Sequence, residues 1–242
     1  MLVSSNEREV GHLNIAAAIT PCKTERKDPV DVTEGISARH KTVDLALKRV
    51  LDLIVSSTAL LILAPMLLVI CALIRLESKG SPIFAQVRWG RGGSKIKIYK
   101  FRSMRSDMSD PTGVQQTVVG DPRVTAVGAV LRKTNLDELP QLYNVLRGDM
   151  SLVGPRCHAV GMLAAGVLYE ELVPDYHLRH SVTPGLTGLA QMKGLRGPTD
   201  RASKARARIY ADLLYIENFS FILDLRILVG TLWSEMTNRK GF

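Results

Sequence analysis

Asp137 and Glu138 stand side by side in the run Leu136-Asp137-Glu138-Leu139-Pro140-Gln141. Cations crowd both sides of them. Upstream lie Ile98-Tyr99-Lys100-Phe101-Arg102-Ser103-Met104 and Asp121-Pro122-Arg123, and downstream Arg147-Gly148-Asp149-Met150-Ser151-Leu152-Val153-Gly154-Pro155-Arg156. Two adjacent carboxylates among lysines and arginines suit a nucleophile or metal ligand that meets a polyanionic substrate. A diphosphate with a divalent cation fits that arrangement. The plain alternative is a pair of acids in the first turn of a helix, where the helix dipole stabilises each by a few tenths to about 1 kcal/mol. Asn135 as N-cap, with Glu138 three residues on, would complete a capping box, and Pro140 is tolerated near a helix start.

The elements that must carry these residues begin with a 22-residue apolar run, Leu53 to Ile74. As a helix it is just long enough to cross a hydrocarbon core of about 30 Å. Pro65 near its middle removes a helix hydrogen bond, and Ser56, Ser57 and Thr58 make its first half semi-polar. Both flanks are basic, Lys48 and Arg49 before and Arg75 and Lys79 after, whereas a spanning helix shows a bias to one side. A broken helix that dips into one leaflet and returns is the expectation. A kinked transmembrane helix and a buried core helix are the alternatives.

After Gly80 and Pro82, Ile83–Val87 and Ile96–Phe101 read as strands joined by a turn at Gly90-Arg91-Gly92-Gly93, and no P-loop follows that glycine cluster. Residues Met108–Val119 read as a loop. Val127–Lys133, Leu136–Leu146, Gly161–Leu172 and Arg201–Tyr215 read as helices, and Thr183–Gly188 as a rigid turn-rich loop. Phe219–Trp233 is apolar but interrupted by Asp224 and Arg226, so it should lie along a membrane surface or cap the core. Residues 1 to about 45 are polar and patternless, as a flexible tail would be, and no signal peptide is visible.

The chain has 242 residues, enough to bury a core, and a net charge of +9. The charge is concentrated: Arg75–Arg105 holds nine Lys/Arg against Glu77, and Lys193–Arg208 holds six against Asp200. With no zinc-finger spacing, basic zipper or aromatic RNA-binding signature, nucleic acid is excluded as the partner. Basic segments that follow an apolar run instead suit anionic lipid, each cation near the surface adding about 1 kcal/mol. Three scattered cysteines, Cys22, Cys71 and Cys157, form neither a disulfide framework nor a metal site and indicate a reducing compartment. His177 and His180 have no partner pair to complete a zinc site.

In order along the chain, Lys48-Arg49-Val50-Leu51-Asp52-Leu53, Tyr99-Lys100-Phe101-Arg102-Ser103-Met104, Asp121-Pro122-Arg123-Val124-Thr125, Leu131-Arg132-Lys133-Thr134 and Leu136 through Leu142 closely resemble the bacterial sugar transferase family. The likeness continues through Asn144–Arg156, Thr183–Gly188 and Asp212–Asp224, and covers about residues 46 to 235. The resemblance implies monotopic polyprenyl-phosphate sugar-1-phosphate transferases that begin exopolysaccharide assembly. It implies transfer from a UDP-sugar, galactose or glucose first, to undecaprenyl phosphate with release of UMP.

The fold implied is α+β and mostly helical: a small cytoplasmic catalytic domain (81–242), a broken re-entrant membrane helix (46–80, with its break at Pro65) and interfacial amphipathic helices. The site would lie on the cytoplasmic face of the bacterial inner membrane, with downstream glycosyltransferases as further partners. By similarity Asp137 is the nucleophile that forms an aspartyl phosphosugar intermediate, and Glu138 helps it hold Mg²⁺. Arg156 is the first candidate for a phosphate clamp, since guanidinium binds phosphate bidentately. Lys100, Arg102, Arg123 and Arg147 follow, and Gln191 is a candidate for the nucleotide or sugar. Departures from the family pattern stand at Cys157, Ala126, Ala64 and Met192-Lys193. A catalytically weak membrane scaffold and a phosphohydrolase are the competing readings.

Overall fold

Helix α1 (Ala38–Glu77) runs for 40 residues, about 60 Å at 1.5 Å per residue. The computed structural model describes residues 38–105 and 120–237, and the stretch from Ser37 onward forms one compact unit. Most of the expected N-terminal tail and the expected loop Met108–Val119 lie outside the described residues. Ala38–Leu45, assigned to the tail from sequence, are helical. Pro65 does not end α1, which continues for three more turns. The hydroxyl of Ser57 donates to the carbonyls of Leu53 (2.6 Å) and Ile54 (3.2 Å), not to the carbonyl at Leu61 that the proline frees.

One face of α1 is stitched to the rest of the protein along its length. Lys48 Nζ donates to the Val153 carbonyl (2.6 Å) and to Asp224 Oδ2 (2.7 Å). Arg49 donates to the carbonyls of Val145 (2.6 Å) and Leu146 (2.8 Å), and Asp52 accepts the Leu152 N–H at 2.9 Å. Toward the far end, Ile70 and Ile74 pack with Phe101 and Leu131, and Glu77 accepts the Val127 N–H at 3.1 Å. Lys48 and Arg49 are therefore docking groups, which corrects their reading as free basic flanks. The opposite face leaves Ile54, Leu61, Ile62, Leu68, Val69 and Leu76 exposed. Among the described residues α1 is the one helix long and apolar enough to cross a membrane.

The expected hairpin forms as β1 (Ile83–Trp89) and β2 (Lys95–Phe101), antiparallel with Ile83 opposite Phe101 and Trp89 opposite Lys95. Helix α2 (Ala126–Lys133) follows, capped by the Thr125 hydroxyl on the Gly128 N–H. The expected single helix over Leu136–Leu146 is instead a one-turn 3₁₀ segment, Leu136–Glu138, and then α3 (Gln141–Arg147). Asn135 has a left-handed φ of +55° and makes no capping hydrogen bond, so the predicted capping box does not form. Pro140, with no N–H to offer, sits at the joint.

Strand β3 (Ser151–Val153) pairs in parallel with β6 (Gly185–Thr187), so the expected loop Thr183–Gly188 contains a strand. The pairing is close: a methyl group on Gly185 would lie 2.1 Å from the Gly154 nitrogen. The expected helix Gly161–Leu172 is a small hairpin, β4 (Leu163–Ala164) and β5 (Val167–Leu168), followed by the one-turn α4 (Tyr169–Leu172). Its Ala165-Gly166 turn has positive φ at both residues, as tight two-residue hairpins require. Short α5 (Leu189–Met192), α6 (Ala202–Glu217) and α7 (Phe221–Thr237) complete the fold. Helix α7 buries Asp224 and Ile227 while exposing Ile222, Val229, Leu232 and Trp233. The architecture is α+β and mostly helical, as expected.

Candidate active site

A cavity of about 910 Å³ opens between the β1–β2 hairpin, the 3₁₀ turn, and helices α5 to α7. Asp137, Glu138, Lys100, Arg102, Arg123, Arg156 and Gln191 all line it. Arg147 does not: its half-exposed side chain pairs with Asp149 at 3.3 Å on the surface, outside the cavity wall. Leu186, Ala190, Leu228 and Leu232 add apolar surface to the same lining.

The 3₁₀ turn gives the two carboxylates different surroundings. Glu138 is gripped: Lys100 Nζ donates to its Oε1 at 2.7 Å, and Arg156 donates to Oε2 through Nη1 at 3.1 Å and to Oε1 through Nη2. Burial alone would push its carboxyl up, but Arg156 and Lys100 outweigh burial and hold it well below the usual carboxylate range. Asp137 is only 8% exposed, and its carboxylate accepts no hydrogen bond from the described residues. Burial raises its pKa, and the charge of Glu138 adds to that rise, against the pull of Lys100, Arg132 and Arg156. The result is one neutralised, braced carboxylate beside one with free lone pairs that faces several cations. Chemically, a carboxylate so placed can serve as a nucleophile or as a metal ligand.

The other cations have different standing. Arg102 is buried, and its guanidinium serves the end of α1. It donates to the carbonyls of Lys79 (2.8 Å), Ser78 (2.6 Å) and Ile74 (3.3 Å) and to the Ser78 hydroxyl (2.9 Å). Arg123 forks onto Asp121, Nε to Oδ1 at 2.9 Å and Nη2 to Oδ2 at 2.6 Å, which lowers the Asp121 carboxyl to about 2. Gln191 donates to the Leu186 carbonyl at 3.2 Å, while its buried Oε1 has no partner among the described residues.

Sequence reasoning missed Arg88, Arg132, Arg208 and Asp212 as cavity residues. Arg88 donates to Gln86 Oε1 at 2.9 Å through Nε, and to the Cys157 carbonyl at 3.3 Å. Its signal was the strand alternation: Gln86 and Arg88 face inward while Ala85 and Val87 face out, the reverse of a core-facing strand. Arg132 stands five residues before Asp137, on the adjoining helix.

Among the described residues no three His, Cys, Asp or Glu side chains converge. Mg²⁺, however, typically takes one or two carboxylates and completes its shell with water and substrate phosphate. Asp137, with its free carboxylate, fits that role directly. Glu138 fits as a second ligand where a bound anion draws Lys100 and Arg156 away.

Residues 43–238 match the bacterial sugar transferase family. The chain belongs to that family. It is 62% identical over 200 residues to the exopolysaccharide production protein PSS of Rhizobium leguminosarum bv. phaseoli, covering 83% of this chain and all of that protein. It is 46% identical over 200 residues to the UDP-glucose:undecaprenyl-phosphate glucose-1-phosphate transferase of Caulobacter vibrioides, covering 83% of this chain and 73% of that one. The Klebsiella pneumoniae protein of the same activity is 45% identical over 224 residues, covering 93% of this chain. There the chain spans 47% of its relative's length. The family match takes in α1 from residue 43 onward, the carboxylate pair and the Arg156 segment together.

Proposed function

We propose that this chain transfers glucose-1-phosphate from UDP-glucose to undecaprenyl phosphate, releasing UMP, as a first step of exopolysaccharide assembly. The observation that carries the proposal is the contrast within the carboxylate pair: Glu138 braced by two cations, Asp137 unbonded beside it in a cationic cavity. Two relatives with that printed activity, and one concerned with exopolysaccharide production, support the donor and acceptor.

An Asp137 carboxylate oxygen attacks the phosphorus next to the sugar. The bond from that phosphorus to the bridging oxygen breaks, and UMP leaves with the electron pair. A phosphate oxygen of the lipid then attacks the same phosphorus and expels Asp137 as a free carboxylate. Arg156 and Lys100 turn from Glu138 toward the phosphate oxygens, Arg132 adds positive charge beside the nucleophile, and Glu138 limits how far those cations move. Two steps allow a soluble and a lipid substrate to use one site in turn. Asp137 and Glu138 would hold Mg²⁺, which would supply positive charge against the donor diphosphate.

The membrane reading is monotopic: α1 enters one leaflet and both its ends stay on the cytoplasmic face of the inner membrane. Support comes from its docking, since Lys48 and Arg49 at one end and Ile74 and Glu77 at the other bind the same domain. The exposed apolar residues of α1 and α7 meet lipid in this reading, and the basic segments meet anionic headgroups. Glycosyltransferases that extend the lipid-linked sugar are the downstream partners.

The test is UMP release by detergent-extracted protein given Mg²⁺, undecaprenyl phosphate and a panel of UDP-sugars. Multiple-turnover release with UDP-glucose that needs both Mg²⁺ and the lipid is the expected result, with at most one equivalent of UMP per enzyme when the lipid is left out. Continued release without lipid, beyond that one equivalent, would make the protein a hydrolase, and silence across the panel would leave it a scaffold.

A further inference from the structure

Arg156 is held by its backbone as well as by Glu138. Arg179, in the 3₁₀ segment Tyr176–Ser181, donates through Nη2 to the Arg156 carbonyl. The same guanidinium donates to Asp212 Oδ2 through Nε at 3.0 Å and Nη2 at 2.7 Å. Both residues are 2% exposed, and Asp212 also lines the cavity. One turn earlier on α6, Arg208 donates to the carbonyls of Leu195 (3.0 Å) and Gly197 (2.8 Å), which also line the cavity. The Pro155 carbonyl, just before Arg156, accepts the Gly185 N–H at 2.9 Å.

A buried ion pair gives little net stability over an apolar pair of the same shape, because desolvation offsets the attraction. Stability therefore does not account for placing one here. Its contact with the Arg156 carbonyl does. An unbroken line of polar contacts runs from Asp212 through Arg179 to the Arg156 backbone, and from the Arg156 side chain to Glu138.

We propose that Asp212 and Arg179 are positioning residues, which fix the Arg156 backbone so that its guanidinium meets the donor diphosphate. This rests on the reading of Arg156 as a phosphate clamp. Without the pair the segment relaxes, and a misplacement of about 1 Å at a binding group can cost roughly 100-fold.

The test is a double-mutant cycle on the full chain, using Asp212→Asn and Arg156→Ala singly and together. Two quantities are read: affinity for inorganic diphosphate by calorimetry, and KM and kcat for UDP-glucose. Asp212→Asn is expected to lower kcat/KM about 100-fold and diphosphate affinity about tenfold or more. In the Arg156→Ala background it is expected to add less than about twofold, because the group it positions is already gone. The double variant Arg179→Met/Asp212→Leu, which leaves no charge unpaired, should keep the thermal midpoint while showing the same losses. It serves as the second route if Asp212→Asn does not fold.

Equal fold-losses from Asp212→Asn in both backgrounds would overturn the proposal, as would full diphosphate affinity in the charge-free double variant. Coupled diphosphate binding without turnover on any UDP-sugar would sink the transferase reading and leave the positioning role standing. Turnover with uncoupled losses would do the reverse. Absence of both diphosphate binding and turnover would overturn both.

Discussion

Two clusters of buried charge meet β3 and the segment that follows it, and both set cations against carboxylates. At the last residue of the strand, Lys48, Asp224 and the Tyr215 hydroxyl close on one another and on the Val153 carbonyl. Beyond its end, Lys100, Arg156, Glu138 and Asp137 meet, with Arg88 and Arg132 lining the same cavity. In the first cluster Lys48 and Asp224 pair with each other, and neither lines the cavity. In the second, cations outnumber carboxylates and one carboxylate accepts no bond from its neighbours. The difference teaches what separates a structural ion pair from a chemical one here. Buried cationic surplus is costly, and it persists where an anion arrives to balance it.

The largest expected effect tests the chemical cluster. Asp137→Asn should lower UMP release by roughly 1,000-fold or more while leaving the thermal midpoint nearly unchanged, since its carboxylate braces nothing. A variant that keeps a tenth of the activity would remove the nucleophile from that cluster. The structural cluster should answer in the opposite way. Lys48→Met strands Asp224, 1% exposed at its side chain, and should cost about 3–5 kcal/mol in chemical denaturation. The fraction that stays folded should turn over within about threefold of the parent. A specific loss of kcat there would merge the two clusters into one.

The surplus can be sharpened by pH. Arg132 lowers the Asp137 carboxyl against a rise caused chiefly by burial, so Arg132→Met should let it rise further. In the proposed mechanism the carboxylate is the attacking form, so the acidic limb of kcat/KM should move to higher pH. An unmoved limb would mean that Asp137 is not the group titrating.

Asp121 supplies a milder contrast. Arg123 holds its carboxyl at about 2, below the usual value, so the pair adds stability that is complete above about pH 4 and lost as pH falls toward 2. Asp121→Asn should therefore be less stable than the parent at pH 5, with the difference in thermal midpoint closing near pH 2. Smallest of all, Arg147→Ala should change stability by less than about 0.5 kcal/mol and activity less than twofold, as an exposed pair outside the cavity.

The same contrast explains how far the sequence could be read. The hairpin Ile83–Phe101 was legible because β-branched residues and a glycine turn are local signals. The carboxylate pair was legible because it lies within one turn. Lys48 and Arg49 were misread because nothing near them in sequence shows that they meet residues about 100 to 175 positions away. Arg102 and Arg156 look alike as single arginines, yet one closes a helix end and the other reaches Glu138. Distant partners, not residue types, made that choice. The lost capping box has a local cause, since Asn135 adopts a left-handed turn and frees Glu138 to face the cations.

The contact between Gly154 and Gly185 carries one more consequence. A methyl group at Gly185 would lie 2.1 Å from the Gly154 nitrogen, and one at Gly188 would lie 2.3 Å from the Gly154 oxygen. Two residues beyond Gly154 comes Arg156, and beyond that Cys157, whose side chain turns into the main core. Main-chain crowding therefore bars a side chain at Gly185 and at Gly188, the two positions that press on Gly154. The approach to Arg156 is gauged by main chain against main chain, a spacing that no side-chain exchange can retune.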